Sequence, residues 1–182
     1  MKNFSNAIRS RNKQLILSTK WKNWKTELDL KTCELCVKMH GKIYPMDMEP
    51  VLKPPLHLFC RCQIKAMEAI VAGYATTDGT AGADYWLQEY KKLPPNYIDK
   101  TELLETGWSR GKSPADYAAG KMVTMGCYNN FDGHLPAASG RIWHEADINY
   151  HGGKRNSQRI LWSNDGLIFV TYDHYKTFVE II

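Results

Sequence analysis

Toward the C-terminal end, four side chains could between them break a phosphodiester: Glu145, Arg155, Arg159 and His174. A carboxylate can take a proton from an attacking hydroxyl, and an imidazolium can give one to the departing oxygen. Guanidinium groups can offset the charge that builds on the phosphoryl oxygens, and their planar forks suit phosphate better than a lysine ammonium does. Such a set needs no metal. On composition alone, however, a Glu, two Arg and a His scattered among strand-forming residues most often make a solvated sheet face. Chemistry requires that the intervening elements bring them together.

Those elements are legible in outline. Trp86, Leu87, Tyr90 and Leu93 form a helical stripe over 83–93, stopped by Pro94-Pro95. Asp99-Lys-Thr-Glu102 has the spacing of a capping box, with Gly107 as the stop. Ser113-Pro114-Ala-Asp116 has the N-cap, early proline and early acid of a third short helix. Strand patterns follow over 121–124, 142–145, 158–162, 167–171 and 177–181, with Asn164-Asp-Gly166 as a hairpin turn. Helices first and strands after read as α+β: N-terminal helices packed on an antiparallel sheet.

Three motifs then identify a likeness: Gly140-Arg-Ile-Trp-His-Glu-Ala-Asp-Ile-Asn-Tyr, Arg155-Asn-Ser-Gln-Arg-Ile-Leu and Asp173-His-Tyr-Lys-Thr-Phe. With them, residues 81–182 resemble the barnase-like, guanyl-preferring bacterial ribonucleases over nearly their whole length. The resemblance implies the microbial ribonuclease fold and an endoribonuclease cleaving single-stranded RNA. The RNA 2′-hydroxyl would be the nucleophile, and a 2′,3′-cyclic phosphate would form and then be hydrolysed. It implies Glu145 as general base and His174 as general acid, so that the rate falls on both sides of a bell-shaped pH profile. Arg155, Arg159 and Lys100 are implied to stabilise phosphoryl charge, and Tyr175 to line the site beside the acid. Arg141 and Asp165 match a structural ion pair, and Asp147 a buried carboxylate between the two arginines.

The base-recognition loop departs from the family. Where the family has Ser-Asn-Arg-Glu-Gly, this chain has Asn129-Asn130-Phe131-Asp132-Gly133, and Gly126 stands where the family has an aspartate. Backbone groups and Asp132 could still read a guanine edge, while Phe131 offers an uncharged stacking surface. Cys127 is expected as a strand-end core residue, and His144 and His151 as surface residues.

The remainder of the 182 residues is different in kind. Hydrophobic content of 43% and charged content of 24% are ordinary for a folded protein. No apolar run approaches the about eighteen residues that span a bilayer, no membrane role is expected, and the first residues lack a signal-peptide pattern. The net charge of +5 is uneven: residues 1–76 hold 13 Lys and Arg against 6 Asp and Glu, residues 77–182 hold 11 against 13. The catalytic half must therefore attract phosphate by local arrangement. Apolar residues from Phe4 to Trp24 are spaced mostly as in a helix over 2–27. Ala72-Gly-Tyr-Ala-Thr-Thr-Asp-Gly-Thr-Ala-Gly reads as a flexible boundary, which divides the chain into 1–71, a linker at 72–80, and 81–182.

Cys33 and Cys36, then His57, Cys60 and Cys62, are spaced so that several sulfurs and an imidazole could meet one structural zinc ion, with His40 as an alternative ligand. A reduced cluster without metal, or disulfides, would use the same residues. Asp29-Leu-Lys-Thr-Cys-Glu-Leu-Cys, Met39-His-Gly-Lys-Ile-Tyr and Pro54-Pro-Leu-His-Leu-Phe-Cys-Arg-Cys resemble the C-terminal end of phage Mu-type minor head (head-morphogenesis) proteins. This small Cys-rich module is expected to be helical or irregular. The joint resemblance implies a toxin nuclease behind a phage-derived carrier, secreted or delivered by a phage or secretion system into a target cytoplasm. It would meet capsid, portal or delivery components, and an acidic barstar-like immunity protein in its producer. The competing readings are a phage head protein whose nuclease-like half only binds, and a metal-dependent DNA nuclease, for which residues 77–182 offer no suitable acid cluster.

Overall fold

The computed structural model describes residues 15–182. Among these described residues, nine strands form one sheet in the order β2-β1-β3-β9-β8-β7-β6-β5-β4. The strands are β1 Leu15–Lys25, β2 Ile43–Pro45, β3 Gln63–Ile70, β4 Tyr97–Asp99, β5 Met122–Tyr128, β6 Trp143–Asp147, β7 Arg159–Ser163, β8 Ile168–Thr171 and β9 Val179–Ile181. The helices are α1 Glu34–Met39, α2 Ala83–Tyr90 and α3 Lys100–Glu105, with short 3-10 turns at Gly79–Ala81 and Pro114–Asp116. Pairing is antiparallel except at two joints, β3 with β9 and β4 with β5.

Over its described part, 15–27, the helix expected for 2–27 is not what forms. Residues 2–14 lie outside the described residues, and 15–25 are strand β1. Trp21 and Trp24, three apart, look like neighbours on a helix. In the strand, that odd spacing sends them to opposite faces. Trp21 packs edge-on to Phe169 at 6.1 Å between ring centroids, whereas Trp24 packs with Cys36, Met39 and Cys62. Burial on both faces, with a register shift between Leu17 and Lys22, removes the simple alternation that marks a strand. The Cys-rich module is accordingly a sheet extension carrying one short helix.

The stretch 72–80 is not a loose boundary. Asp84, fully buried in the first turn of α2, accepts hydrogen bonds from Gly73 N, Ala75 N and Thr76 Oγ1 at 2.8–2.9 Å. Tyr172 Oη donates to Ala75 O at 2.7 Å, and Thr77 N to Asn149 Oδ1 at 2.7 Å. Side chains anchor a segment whose small and polar composition alone reads as a spacer.

One face of the sheet buries Ala146, Ile148, Ile160, Val170 and Ile181 against Ala83 and Leu87 of α2. Trp143, Leu161 and Phe169 face the other way and pack with Trp21, Ile43, Met67 and Phe178. α3 starts with the capping box at Asp99 and Glu102, buries Leu103 against Trp108 and Val123, and is followed by Gly107 at φ 87°.

Candidate active site

Alternation along β6 puts Glu145 and Asp147 on the same face as Trp143. Cross-strand pairing sets Leu161 opposite Glu145, Arg159 opposite Asp147, and Thr171 opposite Arg159. Asp147 is fully buried and receives Arg155 as a fork, Nε on Oδ2 and Nη2 on Oδ1, both at 2.7 Å. Arg159 Nε lies 3.0 Å from Asp147 Oδ1, out of line for a hydrogen bond. Its Nη1 donates to Gln158 O at 2.6 Å and to Asn156 O at 2.9 Å. Burial alone would depress the Arg155 pKa, but the Asp147 carboxylate raises it, so the guanidinium stays charged. One buried anion therefore fixes two cations beside the cleft.

His174 and Tyr175 come from the β8–β9 turn, and both have left-handed backbone, φ 61° and 68°. Such conformations cost free energy in non-glycine residues and persist where surroundings over-determine them. Asp173 supplies the constraint: its Oδ1 accepts from Lys176 N, Thr177 N and Thr171 Oγ1, and its Oδ2 from Thr177 Oγ1. His174 N donates to Ser157 O at 3.0 Å, and its exposed ring sits 4.8 Å from that of Tyr175. Tyr175 Oη donates to Glu145 Oε2 at 2.6 Å, and its ring stacks on Tyr128 at 5.2 Å. Burial, then the Glu145 carboxylate it bonds, pushes the Tyr175 phenol well above its usual pKa, so it remains a donor.

Between these walls lies an open cleft of about 490 Å³. Glu145 and His174 both line it, with Tyr175, Lys176, His134 and residues 127–132. Arg155 and Arg159 are not among its lining side chains; they adjoin it through Tyr175, whose phenol lies against Arg159. Lys100 is exposed at the start of α3 and does not line the cleft.

A family model described as ribonuclease matches residues 81–182, the stretch that holds every one of these residues. The chain belongs to the ribonuclease family. A ribonuclease of Heyndrickxia coagulans is 48% identical over 107 residues, covering 58% of this chain and 95% of that protein. Ribonucleases of Bacillus intermedius and Bacillus pumilus match at the same identity and length, with 64% of each covered. A second family model, described as Phage Mu protein F like protein, matches residues 2–65. Both domains foreseen from the motifs are present.

Within the ribonuclease half, the loop at 129–133 uses Asn130 for itself: at φ 46°, its side chain accepts from Leu135 N at 3.0 Å and donates to Leu135 O at 2.9 Å. Asn130 is therefore a loop clamp, and its amide is not turned to a base. Asn129, Phe131 and Asp132 are exposed at the rim. Cys127 is exposed on β5 and lines the cleft, which corrects its expected place in the core. His144 is half-buried, stacked on Trp162 at 5.4 Å, while His151 is exposed. Arg141 clasps Asp165 through Nε and Nη2 at 2.7–3.0 Å, tying the β5–β6 connection to the β7–β8 turn. Sequence reasoning missed Tyr128, His134 and Asp173. Only an aromatic strand end and an Asp just before His174 marked them.

The thiols gather elsewhere. Cys33, Cys36 and His57 meet, as do Cys36, Cys60 and Cys62, packed on Trp24. His40 does not join them, since its Nδ1 accepts from Thr26 N at 3.0 Å. Among the described residues, no helix is long and apolar enough to cross a membrane.

Proposed function

We propose that the chain is an endoribonuclease that cleaves single-stranded RNA without a catalytic metal. The observation that carries the reading is that Glu145 and His174, far apart in sequence, line one cleft beside the 129–132 loop. Glu145, held by Tyr175, takes the proton of the 2′-hydroxyl, which attacks phosphorus. His174 protonates the leaving 5′-oxygen, and a 2′,3′-cyclic phosphate remains. In hydrolysis the roles reverse: His174 takes a proton from water and Glu145 returns one to the 2′-oxygen. Arg155 and Arg159, which adjoin the cleft through Tyr175, offset charge on the phosphoryl oxygens, and Asp147 keeps the two arginines in place. Lys100, outside the cleft lining, could add to them only if substrate extends beyond the cleft toward α3. Base preference is for guanine, read by backbone groups and Asp132 with Phe131 as a stacking platform.

The domain plan and the family pair support a toxin in which residues 1–71 derive from a phage carrier, 72–80 form the junction and 81–182 are the effector. Such a protein would be secreted or delivered into a target cytoplasm through phage or secretion components. Its producer would need an acidic inhibitor that caps the cleft.

The test is a digest of single-stranded RNA in excess chelator, with the product 3′ ends sequenced and probed for cyclic phosphate. Glu145→Ala and His174→Ala should each lower the rate by roughly 10²–10⁴-fold while circular dichroism stays unchanged. Undiminished cutting by folded His174→Ala would overturn the assignment.

A further inference from the structure

Cys33 caps α1 and Cys36 ends its first turn, with Val37 N bonded to Cys33 O at 3.0 Å. Residues three apart on a helical turn present their side chains in the same direction. His57 and Cys60 repeat that spacing: Cys60 N donates to His57 O at 3.1 Å, and Phe59 between them takes a left-handed φ of 62°. Two short knuckles thus face each other. His57 Nδ1 lies 2.7 Å from Leu58 O, which fixes the ring proton on Nδ1 and turns the Nε2 lone pair to the sulfurs. Nε2 is 3.3 Å from Cys33 Sγ and 3.2 Å from Cys36 Sγ, and Cys36 Sγ is 3.8 Å from Cys60 Sγ. Sulfurs bound about 2.3 Å from a tetrahedral zinc ion stand about 3.8 Å apart.

We propose that Cys33, Cys36, His57 and Cys60 form a tetrahedral site for one structural zinc ion. Cys33, Cys36 and His57 gather as one group and Cys36, Cys60 and Cys62 as another, so Cys62 is the competing donor for the fourth position. Cys60 takes it because its sulfur stands 3.8 Å from that of Cys36, and substituting each in turn tells them apart. Four protein ligands leave no open position for substrate, which makes the role structural. The surrounding segment needs such a staple. Between β1 and β3 it has only α1 and β2 as regular elements, and it leaves Leu30, Val51, Leu58 and Phe59 strongly exposed. Arg61, paired with Asp29 at 2.6 Å and Glu27 at 2.8 Å, braces the second knuckle from outside.

The experiment uses the full chain, purified reduced without chelator. Elemental analysis should find stoichiometric zinc. Replacement by Co²⁺ should give the visible bands of tetrahedral cobalt with charge transfer from three thiolates. Chelator should lower the melting temperature, and zinc should restore it. Cys60→Ser should lose stoichiometric zinc, whereas Cys62→Ser should retain it. The proposal falls if the reduced, folded chain takes up no zinc or binds iron instead, if mass spectrometry finds these cysteines disulfide-bonded, or if Cys62→Ser loses zinc while Cys60→Ser keeps it. The cobalt spectrum of the unsubstituted chain decides the matter should the variants not fold. RNA cleavage by zinc-free chain has no bearing on the assignment, so the two proposals fail separately.

Discussion

The two halves of the sheet are built on opposite principles. The ribonuclease half buries large apolar side chains on both faces and gives its two fully buried aspartates partners: Asp147 between two arginines, Asp84 under three donors. The phage-type half has a small interior around Trp24, most of whose neighbours are thiols, Met39 and half-buried aromatics or aliphatics. It completes itself by leaning on the other. β3 lies parallel to β9, Ile182 N donates to Ile70 O, and Met67 and Trp21 finish the core that holds Phe169 and Phe178. The contact reaches the cleft as well: Ile43 N donates to His134 O, and Gly41 sits against the Lys176 carbonyl. A region whose described residues form only a small core of their own thus becomes part of its neighbour's fold, covering a sheet edge that would otherwise offer unpaired donors and acceptors.

The largest stability effect should fall inside the ribonuclease half. Asp147→Ala leaves the buried Arg159 and the partly buried Arg155 without their anion and should cost about 3–5 kcal/mol in urea unfolding. Met67→Ala tests whether the halves are one unit. Met67 is fully buried in the shared core, so truncation should cost about 2–5 kcal/mol. Far-ultraviolet and tryptophan signals should shift together. If the ribonuclease half melts unchanged while the other half loosens, the idea of a shared fold fails. Gly41→Ala probes the link between halves at the proposed active site. The backbone is at φ 87° and an added Cβ would meet the Lys176 carbonyl oxygen, displacing the loop that carries His174. Turnover should fall by up to about 10²-fold, the scale expected when a catalytic group moves by about 1 Å. Rates equal to the unsubstituted chain would mean that the loop is set by Asp173 alone.

The smallest effect concerns the surface. Arg141, then Ser163, hold the Asp165 carboxyl down at about 2. Because this lies below the unfolded value of about 3.9, the pair's contribution is fully present above about pH 4 and is lost as pH falls through about 2. Asp165→Asn should cost under about 1 kcal/mol at neutral pH, given its exposure, and should flatten the acid limb of the stability curve by that amount.

By itself the sequence determined the local features whose causes are local. The Asp99–Glu102 box caps α3 because its partners are three residues apart, and Asn164-Asp-Gly166 turns because Gly166 can take φ 94°. The strands around Glu145 and Arg159 were legible as strands, though it is their pairing register that sets both side chains on one face. Tertiary structure decided the rest, because burial is a property of the assembled sheet. Trp21 and Trp24 read as a helix until each found a core on its own side of β1. The 72–80 segment read as a spacer until Asp84, a single buried carboxylate, collected its backbone. Composition does not mark Asn130 as the residue that closes its own loop onto Leu135. Spacing could not show that Cys36 stands between His57 and Cys60, because that depends on residues brought together from distant parts of the chain.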